Sequence, residues 1–392
     1  MSKSLSLKPL SKTALEVPFS GIRRFFDIAA SMQDVVSLGV GEPDFVTPWC
    51  VREAAIYSLE RGQTTYTSNY GLLELRREIS RYLNKRYLVE YNPETEILVT
   101  VGVSEGLDLA MRVLLNPGDE VLIPEPCYVS YRPCVALAGG VPVGVETSSD
   151  AKFAVTAEQL KAACTERTKA ILLGYPSNPT GAVLNRDQVI EIINFARDRG
   201  LYVVSDEIYD RLTYDGIHTC VASVPGAREI TILLNGFSKA HAMTGWRIAY
   251  ACAPEHILKM MMKIHSYTML CAPITGQIAA IEALKHAEKE VEDMVAHYRQ
   301  RRRLIVDGLN KIGLTCHMPQ GAFYAFPSIK TTGLTAEQFA ERLLLEERVA
   351  VVPGTAFGAG GDGHIRCSYA TSVEKLELAL ARMHRFIEKL HS

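Results

Sequence analysis

The sequence lacks any apolar run close to the roughly 20 residues that are needed to span a bilayer. It also lacks a strong charge of either sign, because 42 lysines and arginines are balanced by 44 aspartates and glutamates. That balance provides no electrostatic attraction to nucleic acid or to an anionic membrane surface. We therefore expect partners that are neither nucleic acids nor membranes.

Cysteine patterns typical of metal sites are missing as well. The nine cysteines form no C-x-x-C pair, and an odd number in a long chain is typical of reduced thiols in a cytosolic protein. The first 15 residues contain no arginine and no long apolar core, so they are not typical of a transit or secretory signal. These features predict a cytoplasmic protein with a native N-terminal arm and no metal site.

Strand-like and helix-like patterns alternate through the middle of the chain. Helical periodicity is present in Ser104–Leu115, Ala157–Ala163 and Arg186–Arg199. The β-rich runs are Ile97–Val101, Glu120–Ile123, Lys169–Leu173, Leu201–Ser205, Ile230–Leu234 and Arg247–Cys252. Alternation of this kind predicts an α/β fold whose mostly parallel sheet is covered by helices on both faces.

The C-terminal part has a different pattern, which begins with a long helical stretch over Pro273–Asn310. It continues with strand patterns at Gly321–Pro327, Val349–Val352 and His364–Tyr369, and with helical patterns at Thr335–Glu346 and Ser372–Leu390. We expect a smaller α+β unit here. The predicted organisation is an arm that joins the small domain at 1–47, a large domain at 48–292 and a small domain at 293–392.

Polar residues follow several of the predicted strands, at the edge where α/β sheets bind ligands. Gly102, Val103 and Ser104 open a helix after the first run, which suits either a phosphate or a simple cap at Ser104. Asn178 follows the third run with a side-chain amide that can donate. Asp206 directly follows the fourth run and is either a carboxylate at the mouth of the sheet or a helix cap.

The most specific stretch follows the fifth run. Lys239 lies in a turn of small residues, and Arg247 comes eight positions later. Desolvation would lower the pKa of such a lysine and make its amine a nucleophile toward carbonyl compounds. A nearby guanidinium can bind a phosphate with two parallel hydrogen bonds.

The segment from Gly236 to Ala249 resembles the pyridoxal-phosphate attachment motif of class I/II aminotransferases. The resemblance covers essentially the whole chain and implies a fold type I enzyme with a large domain built on a seven-stranded, mostly parallel sheet. The matching motifs occur in the order of the family: Gly41-Glu42-Pro43-Asp44, Tyr66, Asn178-Pro179-Thr180-Gly181, Asp206-Glu207-Ile208-Tyr209, Lys239, Arg247 and Arg366.

The resemblance implies a cofactor, pyridoxal 5'-phosphate, and a role for each matching residue. Lys239 would hold the cofactor as an aldimine and move the proton at the substrate α-carbon. Asp206 would pair with the pyridine nitrogen, and Tyr209 would donate, together with Asn178, to the phenolic oxygen. Tyr128 would stack on the ring. The phosphate would be held by Gly102, Val103, Ser104, Ser238 and Arg247.

The resemblance also implies substrate contacts and a partner. Arg366 would bind the α-carboxylate of the substrate bidentately, with help from Gly41 and Asn178. Tyr66 would reach the phosphate of a neighbouring subunit, which implies a homodimer with shared active sites. One position departs from the pattern: Gly236 replaces a hydroxyl residue found in many relatives, so we expect one phosphate contact fewer.

The predicted activity is transfer of an amino group from an L-amino acid to a 2-oxo acid such as 2-oxoglutarate, with an aromatic, aspartate or broad-range donor. Another reaction on the same fold, such as C–S lysis, and an N-acetyl-diaminopimelate-type aminotransferase are the alternatives. A ligand-sensing regulator would need a DNA-binding module ahead of this fold. Only about 35 residues precede Gly39-Val40-Gly41, which we consider too few.

Overall fold

A computed structural model describes residues 7–19 and 32–391. Its central feature is a seven-stranded sheet with strand order β2-β8-β7-β6-β5-β3-β4. The strands pair in parallel except β8, which is antiparallel to both of its neighbours. Their bounds are β2 Ile97–Thr100, β3 Glu120–Glu125, β4 Val141–Glu146, β5 Thr168–Gly174, β6 Tyr202–Asp206, β7 Thr231–Gly236 and β8 Ala249–Cys252.

Helices cover both faces of this sheet because successive side chains of each buried strand point to opposite faces. Leu98 and Ile232 join the apolar cluster that contains Leu107, whereas Ile97 and Leu233 join a cluster on the other face. The helices of this part of the chain are Trp49–Glu60, Leu73–Tyr87, Gly102–Leu114, Tyr131–Leu137, Ala157–Ala163, Arg186–Asp198, Glu255–Thr268 and Ile274–His286.

Two smaller sheets lie beside the large one. β1 (Val36–Ser37) pairs in parallel with β10 (Val349–Ala350). A three-stranded antiparallel sheet has the order β11-β12-β9, formed by Val352–Pro353, Ile365–Ser368 and Tyr324–Ala325. The remaining helices are Lys12–Glu16, Glu288–Lys311, Ala336–Glu347 and Val373–His391. Within the described residues, no helix is both long enough and apolar enough to cross a membrane.

The predicted α/β fold with a seven-stranded, mostly parallel sheet is confirmed. The prediction missed β4, whose residues Val141–Glu146 are mostly exposed or half-buried and include a proline and a glycine, so that a buried apolar run is absent. It also began β8 too early, because Arg247 has a left-handed backbone with φ 54° that no strand accommodates.

The C-terminal predictions need three corrections. The helical stretch over Pro273–Asn310 is two helices that meet at Ala287. The run Val349–Val352 divides between two sheets, since Val349 pairs with Val36 while Val352 pairs with Arg366. The strand at Gly321–Pro327 is only the two residues of β9. The domain limits at 48–292 and 293–392 stay a prediction.

The register between β7 and β8 explains the unusual glycine near the lysine. Gly236 pairs with Ala249, and a Cβ at position 236 would lie 2.6 Å from the Ala249 Cβ and 3.2 Å from the Ile248 carbonyl oxygen. A hydroxyl residue has no room at position 236 in this packing.

We expect Gly236→Ser to lower the melting temperature, because forcing an extra side chain into packed β-sheet costs about 1–3 kcal/mol. Adding Ala249→Gly removes the nearest atom and should recover part of that loss, beyond the effect of Ala249→Gly measured alone. Calorimetry on the four proteins of this cycle tests the packing. A Gly236→Ser protein as stable as the wild type would show that the strands separate freely.

Candidate active site

A cavity of about 290 Å³ lies at the edge of the large sheet where the parallel strands end. Asp206 is the last residue of β6, and Lys239 follows β7 by three positions. Most of the residues predicted for the site line this cavity: Gly41, Val103, Ser104, Tyr128, Asn178, Asp206, Tyr209, Ser238, Lys239, Arg247 and Arg366.

Two predicted residues do not line the cavity. Gly102 lies directly behind it, where a Cβ would overlap Nη2 of Arg247, and its φ of +76° suits glycine. Tyr66 has 81% of its surface exposed. Its predicted contact with a neighbouring subunit stays a prediction.

Lys239 extends its amine into the cavity, where Nζ donates a hydrogen bond to the carbonyl oxygen of Gly41 at 2.6 Å. Burial lowers the pKa of this amine from its ordinary 10.5 to about 8, and the positive charge of Arg366 adds to this effect. The carboxylates of Glu42 and Asp206 oppose it. A neutral, nucleophilic amine is therefore accessible close to neutral pH.

Asp206 is a buried carboxylate that the surrounding structure orients. The hydroxyl of Tyr131 donates to Oδ2 at 2.9 Å, and the backbone N–H of Ile208 donates to Oδ1 at 3.2 Å. Burial raises the pKa of Asp206 to about 6 from 3.8, although both hydrogen bonds lower it. The residues that follow form turns, so Asp206 is not a helix cap.

Tyr131 is a site residue that sequence reasoning missed. Its ring packs edge-on against Tyr128 with centroids 5.6 Å apart, and its hydroxyl fits because residue 174 is a glycine, where a Cβ would overlap it. A second tyrosine three positions after Tyr128 was the available signal. Its partner lies 75 residues away in the sequence, so the contact itself could not be read from the sequence.

The first turn of the helix Gly102–Leu114 forms one wall of the cavity, next to the guanidinium of Arg247. Ser104 is the third residue of this helix, so the interpretation of Ser104 as its cap is wrong. Glu105 holds the turn instead: its carboxylate accepts from the Val101 N–H at 2.5 Å and pairs with Nδ1 of the buried His265 at 2.6 Å. Helix N–H groups that lack intrahelical partners and a facing guanidinium together suit an anion.

Arg366 is buried at the other end of the cavity, with 2% of its surface exposed. Its Nη1 donates to Oδ1 of Asn178 at 2.8 Å, and its Nη2 donates to the Gly39 carbonyl at 2.5 Å. Its Nε has no hydrogen-bond partner in the described structure. Because Asn178 accepts through its oxygen, its amide nitrogen remains available as a donor.

Tyr209 and Tyr324 meet inside the cavity, with their hydroxyl oxygens 2.7 Å apart. Tyr324 was also missed, although it lines the cavity and its ring lies 4.5 Å from the guanidinium carbon of Arg366. It comes from β9, 115 residues beyond Tyr209. No local pattern in the sequence connects them.

The arrangement suits a particular kind of ligand. A desolvated amine can attack a carbonyl carbon, a buried carboxylate can pair with a cationic nitrogen, and two separated guanidiniums can hold two anionic groups. Among the described residues, no group of three or more histidine, cysteine, aspartate or glutamate side chains could hold a metal ion.

Comparison with known proteins gives a consistent result. The family model "Aminotransferase class I and II" matches residues 33–383. Bacillus subtilis YugH, whose name gives it a provisional aminotransferase assignment, is 56% identical and covers 97% of this chain and 98% of its own. The aspartate aminotransferase of Pyrococcus abyssi is 46% identical over 94% of this chain and 96% of its own length.

Solved structures agree with these relatives. The crystal structure of an aromatic aminotransferase from Pyrococcus horikoshii superimposes with a TM-score of 0.90 at 45% sequence identity. The match covers 93% of this chain and 99% of the Pyrococcus chain. The similarity therefore extends over nearly the whole chain.

The lowered pKa of Lys239 makes a direct prediction for protein stripped of small molecules. An amine reacts with acylating reagents only when it is neutral, so modification of Lys239 should increase as pH rises, with a midpoint near 8 rather than 10.5. Quantitative mass spectrometry of the Lys239 peptide measures this midpoint. A value near 10.5 would mean that the amine is solvated.

Proposed function

This chain belongs to the class I and II aminotransferase family, and we propose that it transfers its amino groups through pyridoxal 5'-phosphate attached to Lys239. The observation that carries the proposal is the desolvated Lys239 amine beside a buried Asp206 and between the guanidiniums of Arg247 and Arg366. Amino-group transfer itself is the activity of the family. Our proposal goes beyond the family activity in naming the cofactor, the residue roles and the substrates.

The cavity residues fit the functional groups of pyridoxal phosphate. The amine of Lys239 suits its aldehyde, and the oriented carboxylate of Asp206 suits its ring nitrogen. The available amide of Asn178 and the hydroxyl of Tyr209 suit its phenolic oxygen. When bound, the cofactor supplies an electron-withdrawing ring that accepts the electron pair left at the substrate α-carbon.

The phosphate would be held at the first turn of the helix Gly102–Leu114. Val103 and Ser104 contribute the helix N-terminus there, and Ser238 and Arg247 line the same cavity. Gly102 permits the approach of Arg247 because it has no side chain. A phosphate at a helix N-terminus with a facing guanidinium is a favourable electrostatic arrangement.

Lys239 would move the proton at the α-carbon. A general base and acid works best when its pKa lies near the working pH, and burial brings the pKa of this amine to about 8. Gly41, whose carbonyl accepts from Nζ, would keep the amine inside the cavity. Lys239 can therefore both take up and return a proton at its Nζ without leaving the site.

Asp206 would remain ionised when a cationic ring nitrogen lies beside it, since an opposite charge lowers a carboxyl pKa. The hydrogen bond from Tyr131 fixes which oxygen faces the ring. Tyr128, three residues before Tyr131 and lining the cavity, would cover the ring face. These residues together would keep the nitrogen protonated.

Arg366 would bind the α-carboxylate of the substrate. Its Nε is a buried donor without a hydrogen-bond partner in the described structure. Such a donor costs folding free energy unless a ligand accepts a hydrogen bond from it. The Asn178 and Gly39 oxygens hold the other two nitrogens and fix the plane of the guanidinium. Gly41 lies in the same cavity and would contribute to the carboxylate site.

The proposed substrates are an L-amino acid and a 2-oxo acid, with 2-oxoglutarate as the acceptor. Because similar proteins are named as aspartate and aromatic aminotransferases, we propose an aromatic, aspartate or broad-range donor. We also propose a homodimer in which the exposed Tyr66 serves the neighbouring site. The nine unpaired cysteines support a reducing, cytoplasmic setting as part of this proposal.

The central test uses single donors without an acceptor. Wild type should release one equivalent of 2-oxo acid per site and then stop. Borohydride added before any donor should leave the cofactor covalently bound to the Lys239 peptide. Lys239→Ala should slow this half-reaction at least ~100-fold because the proton-transferring amine is lost. The exposed Lys289 provides a matched control, since Lys289→Ala should behave as wild type.

Two outcomes would contradict the assignment. Near-normal turnover by Lys239→Ala would remove Lys239 from the chemistry. Continuous formation of an oxo acid and a thiol from a cysteine conjugate, without any acceptor, would support the C–S lyase instead.

The Arg366 assignment predicts a uniform defect, because every donor and acceptor carries an α-carboxylate. Arg366→Ala should lower kcat/KM at least ~100-fold for aromatic, acidic and small donors alike. Arg366→Lys retains the charge but loses the planar fork, so its defect should be smaller. Both variants should keep the cofactor, as judged by absorbance. Selective loss of acidic donors would show that Arg366 recognises the substrate side chain.

A further inference from the structure

Tyr324 lies inside the cavity, although none of the roles above uses it. It is 1% exposed and belongs to β9, where it pairs with Ser368 of β12. Residues i and i+2 of a strand share a face, so Arg366, Ser368 and Tyr324 lie on one face of the small sheet. This placement brings the Tyr324 ring against the Arg366 guanidinium.

The hydroxyl of Tyr324 makes a hydrogen bond whose direction matters. It lies 2.7 Å from the hydroxyl of Tyr209, and burial raises the pKa of both phenols above the ordinary value of 10. Both hydroxyls therefore keep their protons at neutral pH. Since each has a single proton, one must donate and the other must accept.

Which of the two hydroxyls donates depends on the group that accepts the proton of Tyr209. If Tyr209 donates to the ring oxygen of the cofactor, it can only accept from Tyr324. Tyr324 then donates its one proton to Tyr209. Without that donation, the Tyr209 hydroxyl could rotate and direct its proton elsewhere.

Gly41 leaves room for the Tyr324 hydroxyl in this position. A Cβ on residue 41 would overlap the Tyr324 oxygen, so a residue with a side chain would displace it. The contact between the two hydroxyls therefore requires that residue 41 has no side chain.

The ring of Tyr324 has a second contact. The guanidinium carbon of Arg366 lies 4.5 Å from its centroid and 4.9 Å from that of Phe357. Aromatic rings attract a guanidinium and restrict its plane. The Tyr324 ring thus adds to the hydrogen bonds to Asn178 and Gly39 in orienting Arg366, whereas the Tyr324 hydroxyl orients the hydroxyl of Tyr209.

We propose that Tyr324 is a positioning residue with two separable parts: its hydroxyl directs the Tyr209 proton to the cofactor ring oxygen, and its ring holds Arg366 for the substrate carboxylate. This inference rests on the proposed cofactor site. Tyr324→Phe removes only the first part, and Tyr324→Leu removes both.

The first readout is the pH at which the absorption of the holoenzyme changes, measured without substrate. A weaker hydrogen bond to the ring oxygen leaves more negative charge there, which favours protonation of the nitrogen that joins Lys239 to the cofactor. Tyr324→Phe should therefore shift the midpoint upward by roughly half a unit to one unit. Tyr209→Phe should shift it in the same direction, and adding Tyr324→Phe to it should cause no further shift.

The second readout is the KM for donor and for 2-oxoglutarate. Tyr324→Phe keeps the ring over Arg366 and should leave both values within about twofold of wild type. Tyr324→Leu should raise both at least ~3-fold, the scale of a desolvated cation–aromatic contact. If Tyr324 had a merely structural role, the midpoint of the spectral change and the KM values would change together in each variant.

Tyr298 is the matched control. It is a buried tyrosine whose ring packs 5.5 Å from Phe323, next to Tyr324, and whose hydroxyl has no partner in the described structure. Tyr298→Phe should change neither readout. If Tyr324→Phe does not fold, Gly41→Ala displaces the same hydroxyl and should produce the upward spectral shift.

Clear outcomes would overturn the inference. A Tyr324→Phe midpoint within about 0.2 unit of wild type, or a further shift in the Tyr209→Phe background, would exclude direction of the Tyr209 proton. An unchanged KM in Tyr324→Leu would exclude support of Arg366. Failure of the proposed function differs from these results, because the wild type itself would then bind no absorbing cofactor.

Discussion

Parallel hydrogen bonding between β5, β6 and β7 places the residues that follow each strand at one edge of the sheet. Asn178, Asp206 and Lys239 come from segments that are far apart in the chain, yet they line one cavity. Antiparallel strands would have sent alternate strand ends to opposite edges. The active site therefore depends on the direction of these three strands more than on any single contact.

Burial at this edge then sets the chemistry. The same desolvation that lowers the pKa of Lys239 to about 8 raises that of Asp206 to about 6. Burial thus moves both pKa values toward neutral pH, that of Lys239 from above and that of Asp206 from below. Hydrogen bonds from Tyr131 to Asp206 and from Lys239 to Gly41 hold the two side chains in place.

Much of the site could be predicted because its residues follow local signals. A polar residue after an apolar strand, as with Asp206, and a lysine in a turn of small residues, as with Lys239, are visible in a short window of sequence. The contacts of Tyr131 and Tyr324 could not be predicted in this way, because each residue acts through a partner 75 or 115 positions away. The fold shows the same division: most buried strands were predicted, whereas β4 was missed and the strand predicted at Val349–Val352 divides between two sheets.

The sequence by itself determined which side chains are available for chemistry and which stretches have the periodicity of strands or helices, since both are local properties. Only the tertiary structure decided that Gly236 has no room for a side chain beside Ala249, and that Ser104 lies within its helix while Glu105 holds the first turn. It also decided the desolvation of Lys239 and the meeting of Tyr209 with Tyr324. These features depend on packing between distant segments, and no local pattern encodes how closely two such segments approach.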